Sequence, residues 1–180
     1  MDIKTSHRVR RLTYSALFLA IALVLPFLTG QIPEIGAMLS PMHIPVLLCG
    51  FVCGWPWGLV VGAVAPILRS LLFGMPYMFP TAVAMAFELA AYGAASGILY
   101  KLLPKKNIFV YVALILSMIA GRLIWGLVQY VLLGIQGTSF SAEAFLAGAV
   151  TSAVPGIILH IILIPILVIV MRNTKLILNE

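Results

Sequence analysis

The stretch IFVYVALILSMIAGRLIWGLVQYVLL, Ile108–Leu133, carries a single charge, Arg122. It is longer than the ~20 apolar residues with which a helix crosses the ~30 Å hydrocarbon core of a bilayer. Further apolar runs lie at about 12–28, 38–53, 57–73, 80–103 and 143–171, the second and third at the short end of the ~17–25-residue range. None alternates every second residue, as a strand of a membrane barrel would. The pattern predicts an all-α integral membrane protein, a bundle of six transmembrane helices forming a single domain over 1–180.

Composition points the same way. The chain has 180 residues, 63% hydrophobic and 9% charged, with mean hydropathy +1.16. A soluble surface needs roughly 25% charged residues, so most of this surface must face lipid. No cleavable signal peptide is expected, because the first apolar run is followed by five more rather than by a polar mature domain. Cys49 and Cys53 are four apart, not a CxxC pair, and the chain has no other cysteine. They read as small buried hydrophobes, and no metal site is expected.

Turn-forming segments rich in Pro and Gly separate the runs: Thr29–Glu34, Gly54–Pro56, Gly74–Pro76, Pro104–Asn107 and Gly134–Thr138. The net charge of +6 is not a patch for nucleic acid; its placement follows the membrane. Lys4, Arg8, Arg10 and Arg11 precede the first span. Lys101, Lys105 and Lys106 flank the loop after the fourth, and Arg172 and Lys175 follow the sixth. These are nine of the eleven basic residues. The positive-inside rule makes that side cytoplasmic. Both termini are therefore expected inside, and the segments 29–37, 74–79 and 134–142, with Glu34 and Glu143 near them, outside. Trp55 and Trp57, in an inner turn, are expected as interfacial anchors.

The two remaining basic residues, Arg69 and Arg122, fall inside spans, together with Glu88 and His160. An ionisable group at the bilayer centre costs at least ~2.5–3.5 kcal/mol, so each needs a partner or a purpose. Helical spacing puts Thr81, Glu88 and Tyr92 on one face, and Arg122, Trp125 and Gln129 on another. A charge, an aromatic wall and a few directed hydrogen bonds suit a pocket for a small polar molecule. Glu88 paired with one arginine as a structural salt bridge is the competing reading. It still leaves one positive charge over, which would attract a carboxylate or phosphate. His43, near the outer end of the second span, reads either as a pocket-mouth residue or as an interfacial histidine. His160, which stands alone in the sequence, reads as a satisfied core histidine. Gln31, Glu34, Tyr77 and Met78 are expected in outer segments able to act as lids.

Small residues recur at four-residue spacing. Gly50, Gly54, Gly58 and Gly62, and Ala82, Ala86, Ala90, Gly93 and Gly97, read as close helix packing inside one bundle. Ala16 and Ala20 could serve either an internal contact or a partner helix. No Walker A loop, HExxH or GxSxG is present, so an enzyme is not expected. The halves show no inverted repeat of the kind common in secondary transporters.

The basic tail leading into Thr13–Val24 with Ala16 and Ala20, the stretch Met42–Gly50 followed by Gly54, Gly58, Gly62, Pro66 and Arg69, and Phe79–Thr81 through Glu88–Gly93 and Gly97 resemble the S components of energy-coupling factor (ECF) transporters. The resemblance covers nearly the whole chain. It implies a subunit that binds a vitamin or related micronutrient in an outward pocket built from the outer halves of helices four to six and the outer loops. It further implies association with a transmembrane T component and two ATPase subunits, which use the ATP; no cofactor is bound by this chain. By the same analogy Ala16 and Ala20 dock the T component, and the whole subunit topples in the membrane to release its cargo. The expected location is a prokaryotic plasma membrane. The His-Ile-Pro segment looks most like the pantothenate-type branch, with riboflavin, folate, a pyrimidine precursor and cobalamin open. Alternatives are a structural MreD-like six-helix protein and a solitary secondary permease.

Overall fold

The computed structural model describes residues 3–29, 32–138, 141–148 and 153–179. Gln31, expected in an outer lid, lies outside the described residues, as do the side chains of Lys4 and Glu34. The described chain is helical apart from its connections and its last residues, with no strand. In order it runs α1 (Ile3–Val24), α2 (Pro33–Leu39), α3 (His43–Cys53), α4 (Trp55–Phe73), α5 (Val83–Leu102), α6 (Asn107–Ile135), α7 (Ala142–Leu146) and α8 (Val154–Asn173). A 3-10 turn, Leu25–Thr29, extends α1, and a wide turn, Met78–Ala82, leads into α5.

Five segments are long and apolar enough to cross a membrane: His7–Leu28, Trp55–Phe73, Met78–Leu102, Asn107–Ile135 and Val154–Asn173. The run at 38–53 is not one helix. Ser40, with φ 47° in the left-handed region, ends α2, and the chain restarts as α3. At 11 residues α3 is only about 17 Å long, and every one of its residues is buried. The run at 143–171 is likewise divided, between the short α7 and α8.

α3 lies inside the bundle, against α1, α4, α5 and α8. The turn from α3 to α4 is a single residue, Gly54, at φ 96°, where a side chain would strain the backbone. Immediately after it, glycines let α3 and α4 approach α5 backbone to backbone. A Cβ on Gly50 would strike Ser96 Oγ and the Gly93 carbonyl, and one on Gly62 the Leu89 carbonyl. Gly58 and Gly93 face each other, and Gly97 faces Trp55. Lipid is as apolar as the core, so helix association here depends on van der Waals contact, which this closeness maximises. Phe51, Leu47, Leu89, Leu114 and Ile164 fill the remaining core.

The two termini meet at one end of the bundle. Arg11 donates to the Leu178 carbonyl at 2.6 Å, and Leu178 N–H donates to the Val52 carbonyl at 2.8 Å. Asn179 Nδ2 donates to the carbonyls of Gly97, at 2.9 Å, and Gly50, at 3.4 Å. Arg172 binds the Lys105 carbonyl and Asn107 at the same end. Gathering the termini and the loop after α5 here leaves the C-terminal ends of α4 and α6, and the N-terminal ends of α3, α5 and α8, at the other end. Apolar side chains such as Leu12, Leu17, Val24, Leu123 and Leu127 point out of the bundle, as a lipid-facing surface requires.

Candidate functional site

The end of the bundle away from the termini holds a cavity of about 450 Å³, within the range of small-molecule sites. Helix phase delivers its polar lining. Thr81, from the wide turn before α5, and Met85 and Glu88 of α5 point into it, and on α6 Arg122, Trp125 and Gln129 do the same. His43 enters from the first turn of α3, Arg69 from the last turns of α4 and Tyr77 from the α4–α5 connection.

Glu88 is the centre of the polar cluster. Its Oε1 lies 3.0 Å from Arg122 Nη1 and 3.4 Å from His43 Nε2, and the residue is 1% exposed. These contacts fall within ion-pair distance but are not aligned as hydrogen bonds; Glu88 Oε1 and both ring nitrogens of His43 are buried without a hydrogen-bond partner. Gln129 Oε1 is in the same condition. Gly121 makes the approach of α5 and α6 possible, since a Cβ there would enter the Tyr92 ring.

Seven of the eight residues singled out from the sequence, all but Tyr92, border this one cavity. Tyr92 is buried a turn below Glu88, with its ring 5.2 Å from that of His43. Met78 does not border the cavity, whereas Tyr77 does. His160 does not stand alone: its ring stacks on His43 at 5.9 Å, and its Nε2 is buried without a hydrogen-bond partner. It is a buried core histidine, as expected, with one of its two ring nitrogens unpartnered.

Arg69 occupies a different setting from Arg122. It is 3% exposed, its Nη1 donates to the Leu23 carbonyl at 2.5 Å, and its guanidinium carbon lies 5.0 and 5.3 Å from the ring centres of Phe27 and Phe73. Phe73, four residues on in the same helix, was legible as a neighbour; Phe27, from the 3-10 turn after α1, was not. Trp125 forms an aromatic wall with Phe145 of α7, at 6.3 Å, which the sequence did not pair either.

Ala16 and Ala20 are exposed on α1, on the side away from Ser15, Phe18 and Ala22, which face the core. Among the described residues no three His, Cys, Asp or Glu side chains are grouped to hold a metal ion. Cys49 and Cys53 are buried free thiols.

An apolar helical bundle with a cavity bordered by charged and polar side chains at one end fits a membrane protein that binds a solute. The chain belongs to the family described as ECF transporter, substrate-specific component, which it matches over residues 10–171. It is thus a multi-pass membrane protein and a substrate-binding subunit for vitamin uptake, in a family of transport subunits rather than enzymes. Membership implies a small-molecule substrate and partnership with T and ATPase components. It supports this reading over the MreD-like and solitary-permease alternatives. No curated protein and no solved structure matches the chain.

Proposed function

We propose that this subunit captures a water-soluble anionic vitamin, pantothenate in the first instance, for an ATP-driven ECF importer in a prokaryotic plasma membrane. The observation that carries the reading is the cavity itself: Arg69, Arg122, Glu88 and His43 border one hollow, with more positive charge than the one carboxylate among its described lining residues balances. Trp125 and Tyr77 supply aromatic surface, and Gln129 and Thr81 supply directed hydrogen bonds. Tyr92 supports His43 from below.

In this reading α2 and α3 together make the second of six passes, and α7 belongs to the outer entry of the last. Both termini lie in the cytoplasm, because the basic residues gather at their end of the bundle. The cavity then faces outward. Ala16 and Ala20 present a small-residue surface of α1 that lets the T component approach closely. The chain binds no cofactor of its own, and the partner ATPases use the ATP.

Calorimetry with the purified chain against pantothenate, riboflavin, folate, a pyrimidine precursor and cobalamin tests the ligand. Pantothenate is expected to bind most tightly; micromolar or weaker pantothenate binding beside a nanomolar rival overturns that choice. Vesicle uptake tests the mode. Accumulation is expected only with the T component, the ATPases and ATP, and uptake driven by an ion gradient without them contradicts it.

A further inference from the structure

We infer that the cavity is chemically divided, with Arg69 receiving an anionic group and the Glu88–His43–Gln129 region receiving hydrogen-bond donors. This inference rests on the reading of the cavity as the substrate site and specifies how that site selects.

The division follows from how the two arginines are used. Arg122 has its counter-ion in Glu88 at 3.0 Å, so the pair is close to neutral as seen from the cavity. Arg69 has no carboxylate within ion-pair distance among the described residues. Its polar and ring partners among the described residues are two aromatic rings and one carbonyl. A guanidinium carries five N–H donors in a fixed fork, and the Leu23 carbonyl takes one of them. Ring faces and a carbonyl offset part of the cost of a buried positive charge, but neither neutralises it. A carboxylate or phosphate entering the cavity would, and the planar fork matches either one.

The other region offers the reverse chemistry. Gln129 Oε1 is an acceptor, buried and without a hydrogen-bond partner, and Glu88 Oε1, ion-paired with Arg122 but not aligned in a hydrogen bond, keeps capacity for a donor. His43, 3% exposed, has two unpartnered ring nitrogens, which in the neutral ring are one donor and one acceptor. Buried polar atoms left unpartnered in a protein ask for a partner, and acceptors dominate here. The groups that satisfy them are hydroxyls or amide N–H. The ligand class is therefore an organic anion that also carries hydroxyl or amide donors.

The test uses ligand pairs differing only in the anionic group: pantothenate with panthenol, nicotinate with nicotinamide, biotin with biotinamide. Each is titrated into the intact purified chain. The anion of the pair that binds is expected to outbind its neutral partner by about tenfold or more. Arg69→Gln is expected to bring that ratio close to one. Gln129→Met is expected to weaken both members by a similar factor and leave the ratio standing. If Arg69→Gln does not fold, Arg69→Lys carries the test, and it should keep a preference for the anion. Retention of the full ratio in Arg69→Gln, loss of it in Arg69→Lys, or a wild-type preference for the neutral member overturns the inference while leaving a substrate site in place. Absence of binding by every probe, and by the wider vitamin set above, overturns the substrate-site reading and this inference with it.

Discussion

Arg122 Nη1 stands 3.0 Å from Glu88 Oε1, joining α6 to α5 by an ion pair in which the carboxylate side chain is 2% exposed and the guanidinium side chain 19%. Removing one member of a buried pair typically costs 3–5 kcal/mol, because the other is left charged and uncompensated. The partial exposure of Arg122 places Glu88→Gln at or below about 3 kcal/mol, since the guanidinium can turn toward the cavity. The double variant Glu88→Gln/Arg122→Gln is expected to lose less than the two single losses summed. Thermal unfolding in detergent checks this; strict additivity would show that the pair does not interact.

The glycine seam makes a sharper forecast about folding. Gly58→Ala and Gly93→Ala each drive a methyl into facing backbone, which cannot move as a flexible side chain can. Overpacking of this kind costs about 1–3 kcal/mol or more. Gly36→Ala and Gly134→Ala, where nothing lies within 4 Å, are expected to leave the melting temperature unchanged or slightly raised. Equal behaviour of the two groups would contradict the seam.

Much of this was legible in the chain, for definable reasons. Hydropathy marks apolar runs, and helical phase puts Glu88 with Thr81, and Arg122 with Trp125 and Gln129, without any knowledge of tertiary structure. Phase says which face a residue occupies, not what it meets. That is why the stack of His160 on His43, and the enclosure of Arg69 by Phe27, were out of reach. The break at Ser40 was missed for another reason. A serine in the left-handed region is set by tertiary packing rather than by propensity, and α3 is short because it is buried within the bundle, a fact hydropathy does not record.

The C-terminal segment has a mechanical role at the termini end. Asn179 satisfies carbonyls of both Gly50 and Gly97, at the contact between α3 and α5. Asn179→Ala is expected to lower stability by about 0.5–1.5 kcal/mol, the usual net worth of a lost hydrogen bond, since the Gly50 carbonyl still accepts the Gly54 N–H at 3.1 Å. Denaturant titration measures it. A null effect would mean that solvent already serves those carbonyls.

Ala16→Leu and Ala20→Leu separate capture from transport. Both positions are exposed on α1, so larger side chains disturb no core contact. Ligand affinity should stay within about twofold while uptake with the T and ATPase components is lost. Simultaneous loss of binding would assign the pair to bundle packing instead.

The central claim is that the hollow between α3, α4, α5 and α6 receives the transported solute. Its most direct test is calorimetric titration of the purified wild-type chain, Trp125→Ala and Glu88→Gln with the vitamin set. One saturable site is expected in the wild type, weakened by about tenfold or more, roughly 1.4 kcal/mol, in each variant. Saturable binding that neither substitution alters would place the solute elsewhere and contradict the account.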